Sequence, residues 1–116
     1  MDILKLNYSL DLLPENYTGI IEYSDGSIFY FLNGKHHRED GPAIIFSHGT
    51  LEYCLNGLRH REDGPAIIWY DGIEEWCINN KDITKEVKKW IKQNKIPEDH
   101  EKWNNTYKIL FKLTFG

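Results

Sequence analysis

Tyr30–Phe46 reads YFLNGKHHREDGPAIIF, and Tyr53–Trp69, offset from it by 23, reads YCLNGLRHREDGPAIIW. Thirteen of the seventeen positions are identical. The offset persists on both sides. Ser24-Asp25-Gly26 falls on Ser47-His48-Gly49 and then on Tyr70-Asp71-Gly72, while Tyr53-Cys54-Leu55-Asn56-Gly57 falls on Trp76-Cys77-Ile78-Asn79-Asn80. A period of roughly 20–50 residues marks units that bury their apolar side only by stacking on a neighbour, and degenerate copies at the ends read as caps.

Each unit carries the signals of a β-hairpin. A β-branched and aromatic run (GIIEY, PAIIF, PAIIW) leads through a turn into a second run (SIFYFL, TLEYCL, IEEWCI), which Asn33-Gly34, Asn56-Gly57 or Asn79-Asn80 then reverses. Asp25-Gly26 and Asp71-Gly72 suit two-residue type I′ turns, and His48-Gly49 is a weaker version. Six strands in an antiparallel meander follow, a mainly β (α+β) fold. That turn pairs Tyr23 with Ile28 and Ile21 with Tyr30, which puts Ile44, Tyr53, Ile67 and Trp76 with them on one apolar core face. The opposite face mixes carboxylates with apolar groups: Glu22, Phe29, Ile45, Glu52, Ile68 and Glu75. It is expected to be partly wet and is the first candidate for partner contact, the alternatives being a plain solvated face or one covered by the Ile3–Leu13 segment. The first strand is expected to leave an unpaired edge, which makes a homo-oligomer a second outcome.

Length and charge narrow the function classes. The chain has 116 residues, 41% hydrophobic and 28% charged, which suits one domain: an N-terminal segment (1–17), β repeats (18–82) and a helical cap (83–116). No apolar run approaches the ~20 residues of a membrane span, and the N-terminal stretch carries acids where a signal peptide carries bases, so no membrane role and a cytoplasmic location are expected. A formal net charge of −4 argues against general nucleic-acid binding. Cys54 and Cys77 sit at equivalent positions two strands apart, roughly 9–10 Å at ~4.8 Å per strand, so they are expected to be free thiols.

His37-Arg38-Glu39-Asp40 and His60-Arg61-Glu62-Asp63, each followed by Gly-Pro-Ala, are the most distinctive segments. A catalytic constellation is assembled once, whereas a duplicate in each successive unit is what a structural ladder looks like, so no catalytic residue is assigned. Asp before Gly-Pro is expected to accept backbone bonds in a turn, with Arg of one copy reaching Glu or Asp of the next. His36, His37, His60 and the two thiols lack zinc-site spacing, and no phosphate-loop, nucleophile-elbow or dinucleotide motif occurs, so neither metal nor cofactor is expected. These residues resemble the MORN repeat, and NGxxHREDGPAII is similar to a variant repeat of small proteins from bacteria, large phages and giant viruses. The resemblance spans about Thr18 to Thr84. It implies a hairpin-repeat sheet used for binding or assembly, with no family-wide catalytic residues. Arg38–Pro42 and Arg61–Pro65 stand where a short Gly-x-Gly is customary, which weakens any transfer of lipid binding.

Charge is unevenly divided along the chain. Residues 1–34 carry one base and five acids, residues 35–80 four and eight, and residues 81–116 nine and five. Thr84 reads as an N-cap, with Val87, Trp90 and Ile91 on one helical side and Lys85, Lys88, Lys89, Lys92 and Lys95 around the rest. Ile96-Pro97 should end this helix, and Trp103, Tyr107, Leu110 and Phe111 should stripe a second. Trp90 and Trp103 are expected to plug the open end of the sheet. The alternative is that Lys85, Lys88, Lys89 and Lys92 form a basic stripe for an acidic protein, a nucleic acid or a nucleotide. The favoured reading is a non-catalytic protein-interaction module. The alternatives are a phage or viral inhibitor that binds a host enzyme or a small phosphorylated ligand, and a small enzyme using the two charged loops.

Overall fold

The computed structural model describes residues 3–6 and 13–116. Strands β2 (Gly19–Tyr23) and β3 (Ile28–Leu32) form the first hairpin, and β4 (Lys35–His36) folds back onto β3. The sheet continues antiparallel through β5 (Ile44–Ile45), β6 (Leu51–Glu52), β9 (Ile67–Ile68) and β10 (Glu74–Glu75). Two ribbons stand off it: β7 (Cys54–Leu55) with β8 (Leu58–Arg59), and β11 (Cys77–Ile78) with β12 (Lys81–Asp82). The expected hairpin meander is present, finished by helices α1 (Thr84–Gln93) and α2 (Asn105–Phe115). Among the described residues no helix is long and apolar enough to cross a membrane. The molecule is elongated, 49 × 27 × 22 Å.

Four strands fall outside the expected six: β4, β8 and β12, which follow the Asn turns, and one near the N-terminus. β1 (Ile3–Leu6) runs parallel to β2, pairing Ile3 with Ile20 and Leu6 with Tyr23. The first hairpin therefore has its edge covered, and Ile3–Leu6 widens the sheet instead of lying across a face. The rest of the expected covering segment, residues 7–12, lies outside the described residues.

The hairpin register corrects the sequence reading. Tyr23 N–H donates to Ser27 C=O (2.8 Å) and Gly26 N–H to Tyr23 C=O (2.9 Å), so the loop is Ser24-Asp25-Gly26, three residues with Gly26 at φ 93°. This is a type I turn completed by a left-handed glycine, not a two-residue type I′ turn. The bonds Phe46–Thr50 with Gly49 and Trp69–Ile73 with Gly72 repeat it. One extra loop residue slips the pairing by one and moves every partner to the other face. Hence Ile21 pairs with Phe29, Phe29 with Ile44, Ile44 with Glu52, Glu52 with Ile67, and Ile67 with Glu75. Ile21, Ile44 and Ile67 are buried on that face, while Tyr30 and Tyr53 stand on the other.

A kink at each aromatic joins neighbouring units. Tyr53 N–H donates to Ala66 C=O of the next unit (2.7 Å), and its own carbonyl accepts from His60 N–H (3.0 Å). Tyr30 makes the same pair with Ala43 (2.8 Å) and His37 (3.1 Å). At Trp76 the carbonyl accepts from Ile83 N–H (2.7 Å), but no further unit follows, and the N–H goes to Thr84 Oγ1 (3.0 Å). Thr84 stands one full repeat after Arg61, and its hydroxyl replaces the missing carbonyl. The opposite end is closed likewise. Asn56 and Asn79 N–H donate to His37 and His60 Nδ1, whereas Asn33 N–H donates to Thr18 Oγ1 (2.9 Å).

Thr84 is therefore not the N-cap expected of it. Its hydroxyl is held by Trp76 and Asp82, and the cap position is Ile83, without a side-chain bond. Helix α1 ends before Ile96-Pro97, where Asn94 N–H returns to Trp90 C=O and Lys95 turns left-handed at φ 53°. Asn104 caps α2 by accepting from Tyr107 N–H, so Trp103 precedes the helix instead of opening its stripe. Trp76, Ile83, Val87, Ile91, Ile96, Trp103 and Phe111 form the second half of the core, with Trp90 packed against it. The tryptophan plug is thus present: Trp103 stacks on Trp76 with centroids 5.3 Å apart and meets Trp90 edge-on at 5.8 Å.

Candidate functional site

The two charged loops lie over the face that carries the tyrosines, and their chemistry is local. The Arg38 guanidinium sits 4.2 Å above the Tyr30 ring, its Nε donates to Asp40 (2.8 Å) and its Nη1 to the Pro42 carbonyl (3.3 Å). Arg61 repeats this over Tyr53 at 3.9 Å, with Asp63 at 3.0 Å and the Pro65 carbonyl at 3.1 Å. Each Arg thus pairs inside its own loop, which corrects the expected pairing with the next copy. Asp40 and Asp63 accept from an arginine side chain and so do not act as the expected backbone acceptors alone. Gly41 and Gly64 leave room for the guanidinium, since a Cβ there would fall 2.8 Å and 2.6 Å from its carbon and the arginine would have to shift. The hydrogen bond and charge of Arg38 hold the Asp40 carboxyl below its usual range.

The histidines work between units. Nδ1 of His37 accepts from Asn56 N–H (2.9 Å) and that of His60 from Asn79 N–H (3.1 Å), so both rings carry their proton on Nε2 when neutral. Nε2 then faces Glu39 (3.7 Å) and Glu62 (3.1 Å). Asn33, Asn56 and Asn79 are left-handed at φ 51°, 51° and 48°, the conformation Asn tolerates best after Gly. Among the described residues no group of three His, Cys, Asp or Glu could hold a metal ion.

The first candidate surface divides between two faces. Phe29, Glu52 and Glu75 share the row of Ile21, Ile44 and Ile67, whereas Glu22, Ile45 and Ile68 belong to the neighbouring row on the opposite face. Phe29 packs among Tyr23, His36 and Phe46. Glu52 accepts from Arg59 Nε (2.7 Å), which raises the Arg59 pKa, and Glu75 accepts from Trp69 Nε1 (3.0 Å). Cys54 and Cys77 are free and buried, not on a wet face. Burial pushes the Cys54 thiol up to about 11, so it stays protonated and weakly nucleophilic at neutral pH. Lys85, Lys88, Lys89 and Lys92 all project from α1 into solvent.

Two features escaped the sequence reading. Lys108 and Lys112 of α2 line a cleft of about 470 Å³ between the two loops, with Lys112 3.8 Å from Glu62. Helix α2 also exposes Ile109, Leu110 and Leu113. The i, i+1, i+4 spacing of those three residues is the signal for this stripe, and it is masked because Leu110 also fits the core stripe through Phe111. Set against protein-family models, curated proteins and solved structures, the chain matches none.

His36 supplies a pH test of this region. Its ring packs on Phe29 and Phe31 at 5.4 and 4.7 Å, and Nδ1 is buried with no hydrogen-bond partner among the described residues. Burial lowers its pKa below 6.5, against a smaller opposing pull from Glu52. The unfolded chain therefore binds this proton first, and stability is full above the ordinary histidine value and falls as pH drops toward the depressed one. Melting at about pH 7.5 and about pH 5.5 should show a loss that His36→Phe reduces. An equal loss in both proteins would remove His36 as its source.

Proposed function

We propose that the protein is a non-catalytic protein-interaction module built on MORN-like hairpin units. One observation carries the reading: in both loops the Arg and His groups that chemistry would need already hold a tyrosine ring, a neighbouring Asp, a proline carbonyl or a backbone N–H, in the same geometry. What remains available is surface, namely the Glu39 and Asp40 carboxylates, about 85% exposed, and the apolar stripe of α2. A basic-stripe reading of α1 is weaker, because the remainder of the chain is acidic.

The test is affinity capture with the whole chain against three variants. The module reading expects His37→Ala/His60→Ala to melt earlier, by roughly 0.5–1.5 kcal/mol per lost hydrogen bond, and to retain its partner once folded. Leu113→Glu or Glu39→Lys should instead lose the partner with melting unchanged. An activity abolished by the histidine pair at unchanged stability would overturn the reading in favour of an enzyme.

A further inference from the structure

A groove of about 600 Å³ opens beside the first charged loop, floored by Tyr30 and Leu32 and rimmed by His37, Arg38, Glu39 and Asp40. Adding 23 to each of these six numbers gives six residues of the cleft between the two loops. The two hollows are therefore the same site in successive units, and they differ in what covers them. The inner cleft is closed on one side by the preceding loop and on the other by α2, whose Lys108 and Lys112 line it and whose Lys112 meets Glu62. Glu39, the counterpart of Glu62, meets only the His37 ring among the described residues and is 85% exposed.

The same molecule displays a surface of the opposite kind. Helix α2 carries two lysines and no acid, and its outward stripe of Ile109, Leu110 and Leu113 is 57%, 42% and 79% exposed. Arg38 pairs with Asp40 at the rim, which leaves Glu39 as its exposed acid, and an apolar floor beside such a carboxylate is complementary to an apolar stripe on a helix whose charges are all positive. The inner cleft shows that a lysine of this helix pairs with the acid of such a rim. Resting on the reading of the protein as an interaction module, we propose that the chain self-associates head to tail, with α2 of one copy lying in the outer groove of the next. The two surfaces are different, so the contact is heterologous and a dimer leaves one groove and one helix available.

Light scattering of the whole chain against concentration tests this. Wild type should gain mass with concentration. Leu113→Glu, at a side chain outside the core, should stay monomeric, and so should Leu32→Lys/Glu39→Lys. An equimolar mixture of those two variants should form dimers and nothing larger, because one intact helix meets one intact groove. Glu39→Lys alone, at an exposed residue that leaves the fold untouched, should weaken association about tenfold by setting like charges together. Wild type that is monomeric throughout, association that survives in either variant, or a mixture that stays monomeric overturns the proposal. Such a result separates from failure of the module reading, which is judged by partner capture and by the histidine pair.

Discussion

Replacing Trp103 with alanine should lower stability by about 3–5 kcal/mol, the range for deleting a large buried aromatic. Trp103 is 5% exposed, lies on Trp76, and touches Trp90 and Phe111 at 5.8 and 5.9 Å. Its Nε1 also donates to the Pro97 carbonyl at 2.7 Å, so truncation leaves a cavity and an unmet acceptor. In the two earlier units an arginine covers the aromatic; at Trp76 the covering group is Trp103, and no other unit follows to replace it. The melting midpoint should fall by roughly 12–20 °C at about 4 °C per kcal/mol, with loss of the near-ultraviolet tryptophan signal. Trp103→Phe keeps the stacking and should recover part of the loss. A shift under about 1 kcal/mol would mean that the helices do not close the sheet through this residue.

How much of this could be read beforehand depends on how local the deciding contact is. The hairpins follow from spacing, because a constant offset repeats side chains and environments together, and the helical cap follows from the apolar period of its own residues. The face assignment failed on one residue. Ser24-Asp25-Gly26 permits a two-residue turn at Asp25-Gly26 or a three-residue turn ending on Gly26, and both place a left-handed glycine at the same site. That choice moved Phe29, Glu52 and Glu75 to the buried isoleucine row and divided the proposed binding face. Thr84 misled for a different reason: its neighbours fit an N-cap, and only its position one repeat beyond Arg61 marks it as the end of the ladder. The α2 stripe was obscured because its Leu110 reads equally well as part of the core stripe through Phe111. The loop residues were correctly grouped, but their partners were not, since Arg61 reaches back to the Tyr53 ring and ahead to the Pro65 carbonyl.

That loop geometry makes a sharp expectation for Gly64. A methyl group there would lie 2.6 Å from Arg61 Cζ, and the guanidinium cannot retreat without leaving the Tyr53 ring, Asp63 and the Pro65 carbonyl together. The Arg61 side chain is 16% exposed, so its cation–π contact and hydrogen bonds are partly desolvated, worth about 1 kcal/mol and about 1.5 kcal/mol respectively. Gly64→Ala should therefore cost about 2–4 kcal/mol by urea denaturation, and Arg61→Ala a similar amount. The double variant should cost little more than Arg61→Ala alone, because the clash and the lost contacts share one side chain, giving a coupling close to the whole Gly64→Ala loss of about 2–4 kcal/mol. Gly41→Ala should cost less, since its Cβ would lie 2.8 Å from Arg38 and that loop is more exposed, with 24% of the Arg38 side chain in solvent against 16% for Arg61. Additive losses in the Gly64/Arg61 pair would mean that the glycine is needed for some other reason, and the account of why Gly follows Arg-Glu-Asp in both loops would fail.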